Sequence, residues 1–121
     1  TLVDQKLLSD KYYSDIKSKA FLRRGYSLNK IRYNLITKGI DKKYINASIS
    51  KITENESDPD FFSAIKICKR RRIGPTREES NRSLFYKKDI SILARSGFSY
   101  ETSKKVLEIP KEEFRKFCKM I

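Results

Sequence analysis

Apolar residues along this chain recur at spacings of three and four, the period of an α-helix, not at the alternation of a strand. Tyr13, Ile16 and Ala20, with Phe21 beside them, form a first stripe. Leu28, Ile31 and Leu35 form a second, and Ile45, Ile49 and Ile52 a third. Phe61, Ala64, Ile65 and Cys68 follow, then Ile90, Leu93 and Ala94, then Phe114, Phe117, Cys118 and Ile121. No stretch joins sustained alternation to turn residues, so the pattern predicts helices throughout and no sheet.

The residues between the stripes are those that stop and start helices. Gly25 after Arg23-Arg24 predicts a left-handed C-terminal cap, with both cations at the negative end of the helix dipole. Tyr26 then folds back on the helix just ended, and Ser27 is a natural N-cap for the next. Gly39 closes that helix and Asp41 caps the one after it. Thr53 to Asp58 reads as a polar linker. Asp58-Pro59 predicts an N-cap followed by proline at the first helical position. Gly74-Pro75 stops the fourth helix, and Thr76-x-x-Glu79 has the form of a capping box.

A weak internal repeat organises these elements. Arg23-Arg24-Gly25-Tyr26-Ser27 recurs as Arg95-Ser96-Gly97-Phe98-Ser99, from position 23 to position 95, an offset of 72. The same offset sets Ile31 on Ser103 and Leu35 on Leu107. A three-residue gap then aligns Gly39-Ile40-Asp41-Lys42 with Glu108-Ile109-Pro110-Lys111. Each unit reads helix, glycine–aromatic–serine turn, helix, break, helix. Gly25, Tyr26, Ser27, Gly97, Phe98 and Ser99 are therefore structural: glycine takes positive φ, the aromatic plugs the corner, and serine satisfies free N–H groups. Residues 11–53 make one three-helix repeat, 54–58 a linker, and 59–121 a connecting helix plus a second repeat. Small helical units stack side by side, so the expected fold is all-α, an elongated and curved array of tandem three-helix repeats.

Composition narrows the function classes. The chain has 121 residues, enough for one domain or two small ones, with 38% hydrophobic residues, 7 Tyr and 7 Phe, enough to form a core. It has no histidine, which removes Ser–His and Cys–His catalysis and imidazole metal sites. Cys68 and Cys118 are isolated, so they read as buried free thiols in a reducing compartment. Glu54 and Glu56 fall in the linker, and Glu78-Glu79 and Glu112-Glu113 at helix starts, where the dipole accounts for them. There is no phosphate-binding glycine loop and no nucleophile elbow. The reading is a protein without catalytic residues, metal or cofactor. No apolar run reaches the ~20 residues of a membrane span. The start at Thr1 instead of Met points to a processed chain or a fragment.

Charge is the informative surplus: 28 Lys and Arg against 15 Asp and Glu, a net +13. An excess of this size implies an acidic partner. Lys69, Arg70, Arg71, Arg72 and Arg77, with Lys66, crowd the fourth helix end without an intervening acid. Successive residues are ~100° apart around a helix, so these cations cannot all meet acids on one face. A second cluster holds Lys19, Arg23, Arg24, Lys30, Arg32, Lys38, Lys42 and Lys43. With Leu28, Ile31 and Leu35 facing the core, Lys30, Tyr33 and Thr37 face away, which makes Tyr33 a candidate interface anchor.

In order and spacing, these motifs resemble the RecX family. The matching segments are Arg23-Arg24-Gly25-Tyr26-Ser27, Lys30-Ile31-Arg32, Lys38-Gly39-Ile40, Lys69 to Pro75, Lys88-Asp89 and Leu93 to Ser99. The resemblance implies three tandem three-helix repeats, of which this sequence matches the second and third. Residues 1–10, with Leu7-Leu8-Ser9-Asp10, then resemble the tail of an absent first repeat. It also implies a non-enzymatic bacterial cytoplasmic regulator; a monomer is the default expectation. Such a protein binds the filament of RecA recombinase on single-stranded DNA and inhibits its recombinase, ATPase and coprotease activities, in DNA repair and the SOS response. On this reading Arg70, Arg71, Arg72, Arg77 and Lys69, then Arg23, Arg24, Lys30, Arg32 and Tyr33, contact the partner or its DNA. The alternative is a non-specific basic helical module that grips DNA without RecA and has no base-reading helix.

Overall fold

Eight α-helices and one 3-10 turn make up the architecture, seen in a computed structural model that describes the backbone of residues 2–121 and the side chains of residues 9–121. They are α1 (Leu2–Arg23), α2 (Leu28–Thr37), α3 (Lys42–Asn55), α4 (Pro59–Arg71), the 3-10 turn Gly74–Thr76, α5 (Glu79–Leu84), α6 (Tyr86–Arg95), α7 (Tyr100–Leu107) and α8 (Lys111–Met120). Among the described residues there is no strand, so the all-α expectation holds. No helix among them is long and apolar enough to cross a membrane. The Leu7-Leu8 part of the N-terminal motif lies outside the residues whose side chains are described.

Two hydrophobic cores form. The first gathers Leu22, Ile31, Leu35, Ile40, Ile45, Ile49 and Ile52 from α1, α2 and α3. The second gathers Phe61, Ala64, Ile65 and Cys68 of α4 with Ile73, Leu93, Phe98, Val106, Leu107, Ile109 and Phe114. Phe61, Phe62 and Phe117 meet edge to face around it, with centroids 5.2 to 6.0 Å apart. Of the stripes read from the sequence, those of α3 and α4 are buried throughout and that of α2 is buried apart from half-buried Leu28; in the last two, Leu93 and Phe114 are buried whereas Ala94 and Ile121 are exposed.

The stripe of α1 is only partly buried: Tyr13 and Phe21 pack against the first core and Ala20 is half-buried. Ile16 is exposed, and the face that turns inward carries Ser14, Ser18 and Leu22. Ser14 Oγ lies 2.8 Å from Ser48 Oγ and 3.2 Å from the Tyr44 carbonyl. Ser48 in turn donates to Asp15 at 2.7 Å. Small hydroxyl side chains let α1 and α3 approach closely while meeting each other's hydrogen-bonding needs, so Ile16 is left in solvent and the rest of the apolar stripe lies at the edge of the core. Burial works against the charge of Asp15, but the Ser48 hydrogen bond and the Lys51 ammonium at 2.9 Å outweigh it and hold the carboxyl below its usual range.

The two glycine–aromatic–serine turns have the same geometry. φ is +90° at Gly25 and +93° at Gly97. Ser27 Oγ accepts from the Lys30 N–H and Ser99 Oγ from the Thr102 N–H, each at 3.1 Å. Other boundaries differ from expectation. α3 runs on through Asn55, since Thr53 bonds to the Ser50 carbonyl and nothing breaks the helix earlier, so the linker shrinks to Glu56–Asp58. Asp58 precedes Pro59 but does not cap; it has φ +48° and lies 3.4 Å from Lys105 Nζ. Arg72, at φ +55°, ends α4 before Gly74-Pro75 is reached. Thr76 forms no capping box: its hydroxyl donates back to the Ile73 carbonyl at 2.8 Å, and α5 starts after Glu78.

Candidate functional site

Helix ends leave carbonyls without intrahelical partners, and the end of α1 finds its partners on α4. Arg70 Nη1 donates to the Arg24 carbonyl at 2.9 Å, and Lys66 Nζ to the Leu22 carbonyl at 3.4 Å. The approach needs Gly25, whose Cα lies against Ser63 and Lys66 of α4. Two cation clusters far apart in the chain, Arg23-Arg24 and Lys69 to Arg72, thus become one surface around the crossed C-termini of α1 and α4.

Arg23, Arg24, Lys69, Arg70, Arg71 and Arg72 are all exposed. Among the described residues none of them is in an ion pair; the acids found in pairs are Asp15, Asp58, Glu79 and Asp89. Two helix C-termini offset part of this charge, but within a Debye length of ~8 Å the cations repel one another. An external anion relieves that repulsion, and guanidinium groups bind planar carboxylates or phosphates bidentately.

Arg77 does not join them. It turns inward, with Nε 2.9 Å from Asp89 Oδ2 and Nη2 2.9 Å from Asp89 Oδ1. Its guanidinium lies 4.3 Å from the centre of the Phe85 ring. The hydrogen bonds that Arg77 donates to Asp89, opposed by burial and helped by the Asp89 charge, push the guanidinium pKa above its already high value. Asp89 is 1% exposed and also accepts from the Gly74 N–H at 2.9 Å. Arg77 therefore holds the Ile73–Thr76 turn beside the arginine run, its guanidinium engaged by Asp89 within the chain.

Sequence reasoning passed over Asp89, although an acid four residues before Leu93, on a buried stripe, signals a buried cation partner. Arg82 was passed over too. It donates to the Leu107 and Ile109 carbonyls at 2.6 and 2.7 Å and so closes the end of α7.

The second cluster divides. Arg32 reaches across to Asn46 of α3 at 2.6 Å and is half-buried. Lys30 lies 4.3 Å over the Tyr26 ring, itself stacked on Phe21 at 4.8 Å. Tyr33 is 68% exposed. Lys30 and Tyr33 border a cleft of about 380 Å³ where α2 meets the α6–α7 turn, together with Asn29, Asn34, Arg95, Ser96 and Gly97. The structure therefore joins Arg23, Arg24, Lys69, Arg70, Arg71 and Arg72, places Lys30 and Tyr33 in a separate cleft, and assigns Arg32 and Arg77 to internal contacts.

Both cysteines are free. Cys68 is buried and Cys118 half-buried. Among the described residues no group of three His, Cys, Asp or Glu is placed to hold a metal ion. The chemistry available to these surfaces is anion binding.

Comparison with known proteins gives one consistent result. The chain is 32% identical to regulatory protein RecX of Myxococcus xanthus (strain DK1622), over 88% of this chain and 57% of that protein. It is 28% identical to regulatory protein RecX of Agrobacterium fabrum (strain C58), over 89% of this chain and 55% of the relative. With regulatory protein RecX of Clostridioides difficile (strain 630) the identity is 32% over 65% of this chain and 35% of the relative. The chain thus spans little more than half the length of the first two. No family model and no solved structure matches it.

Proposed function

From a chain that is related to the RecX regulatory proteins over most of its length, we propose a regulator that binds the RecA–single-stranded DNA filament and lowers RecA activity without catalysis of its own. The observation that carries this reading is the exposed basic surface of Arg23, Arg24, Lys69, Arg70, Arg71 and Arg72 at the crossed ends of α1 and α4, none of it in an ion pair among the described residues. A filament presents both protein carboxylates and DNA phosphates, and a rigid basic helical array suits a groove lined by either. The matching turn geometry at Gly25 and Gly97 supports reading the two cores as successive repeats of one unit. The bacterial cytoplasm, where the filament forms, is the proposed compartment, and a monomer the proposed state.

The test is single-stranded-DNA-dependent ATP hydrolysis by a bacterial RecA with this chain titrated in. Inhibition should appear well below the concentration that coats bare DNA. Lys69→Glu, Arg71→Glu and Arg72→Glu together should weaken it at least tenfold with an unchanged thermal midpoint. Unaltered inhibition by that triple variant would overturn the assignment of the surface. Absence of inhibition, with bare-DNA binding that collapses between two salt concentrations, would favour the simpler basic DNA-binding module.

A further inference from the structure

The cleft between α2 and the α6–α7 turn is separate from the basic surface and carries a different combination of groups. It exists because two turns meet there. Ser27 Oγ donates to the Ser96 carbonyl at 2.8 Å, and Asn29 Nδ2 to the Gly97 carbonyl at 3.3 Å. Gly97 makes room, since a Cβ at that position would collide with Ser27 Oγ. The result is an open pocket of about 380 Å³, within the ~300–1,000 Å³ typical of pockets that hold a small organic group.

Its lining has three properties together. Tyr33 stands 68% exposed, far more than packing alone requires of a tyrosine. Lys30 and Arg95 supply two cations, and no acid lines the cleft among the described residues. Arg95 is exposed and is in none of the ion pairs among those residues. Asn29 and Asn34 add amide groups, each with its Nδ2 already donated to a backbone carbonyl, so both side chains are oriented. An aromatic face, flanking cations and oriented amides answer to an unstacked base with its own phosphates. An acidic peptide would use the cations but leave the tyrosine ring without a role. A duplex presents no free base face to the ring.

We infer that this cleft binds one nucleotide of single-stranded DNA, the base against Tyr33 and its phosphates between Lys30 and Arg95. The inference deepens the proposed function by locating where the single strand is held, and it is testable without RecA. Fluorescence anisotropy with a labelled dT15 oligonucleotide and a labelled duplex of equal length, at low and moderate salt, separates the terms. Tyr33→Ala should weaken single-strand binding by about five- to 150-fold, the range of one base–aromatic stack. It should leave duplex binding within twofold, and Tyr33→Phe should restore the loss. Arg95→Gln should weaken single-strand binding and flatten its salt dependence. The Lys69, Arg71 and Arg72 reversal should weaken both substrates alike. Equal single-strand affinity for wild type and Tyr33→Ala, or no single-strand binding by wild type, overturns the cleft assignment. Neither result touches the filament reading, which the RecA ATPase assay decides separately.

Discussion

Gly97 and Gly39 share a backbone conformation and differ in what surrounds them, with φ +93° and +80° respectively. Alanine at either position must adopt left-handed backbone, at about 1–2 kcal/mol. At Gly39 nothing lies within 4 Å of an added Cβ, so that cost is the whole effect. At Gly97 the Cβ strikes Ser27 Oγ, the atom that donates to Ser96 O at 2.8 Å and accepts from the Lys30 N–H at 3.1 Å. Displacing it forfeits an N-cap, about 0.5–2 kcal/mol, and a hydrogen bond, about 0.5–1.5 kcal/mol. Gly97→Ala should therefore cost about 2–5 kcal/mol against about 1–2 for Gly39→Ala. Gly25→Ala falls between them, because its Cβ would sit 3.2 Å from Lys66 Cβ and 3.3 Å from the Ser63 carbonyl. Urea unfolding followed by circular dichroism reads the order. With a slope of ~2 kcal/mol/M the Gly97 and Gly39 variants should separate by roughly 0.5–1.5 M in midpoint. Coincident midpoints with equal slopes would refute the close approach of the two turns, and with it the cleft they form.

Three further outcomes follow from named contacts. Asp89→Ala strips Arg77 and the Gly74 N–H of their buried partner and should cost about 3–5 kcal/mol in the same urea assay; a loss below about 1 kcal/mol would show that the pair holds nothing. Asp60 accepts from the Leu28 N–H at 2.9 Å, and burial, opposed by that bond and reinforced by Asp58, raises its pKa. A carboxyl raised on folding stabilises fully below its unfolded pKa and loses that contribution as pH rises through the folded value. Asp60→Asn, which keeps the acceptor, should thus match or exceed wild type at pH 7 and converge with it near pH 4, whereas Asp60→Ala should cost about 1 kcal/mol; an Asn variant clearly weaker at pH 7 would contradict this. Cys68 is buried, and burial, then the nearby Asp89 charge and Cys118, push its thiol up to about 12. A thiol reagent at pH 8 should label Cys118 first and Cys68 only at the rate of opening; equal rates would count against the packing of α4.

Much of the fold was legible because the governing interactions are local. Ser27, Asp41 and Ser99 cap N–H groups two or three residues onward, so identity and spacing suffice to place them. Asp58 misled for the opposite reason: Lys105, far along the chain, competes for its carboxylate. Thr76 misled although its partner is local, because its hydroxyl bonds back to the Ile73 carbonyl instead of forward to a helix N–H. The α1 stripe misled because hydrophobicity ranks Ile16 above Ser14 and Ser18. The closeness of α3, which only packing sets, makes the smaller residues the better fit.

The candidate surfaces divide along the same line. That the chain is helical, strongly basic, without histidine and built on a repeated turn was determined by the sequence alone. Periodicity, charge and caps act over about one helical turn. Which cations share a surface was decided by tertiary structure. Arg70 meets the Arg24 carbonyl, Arg77 folds onto Asp89, and Tyr33 comes to border a cleft with Arg95. Those encounters depend on how helices cross, and the crossing is set by the packing of two whole cores, which no local segment encodes.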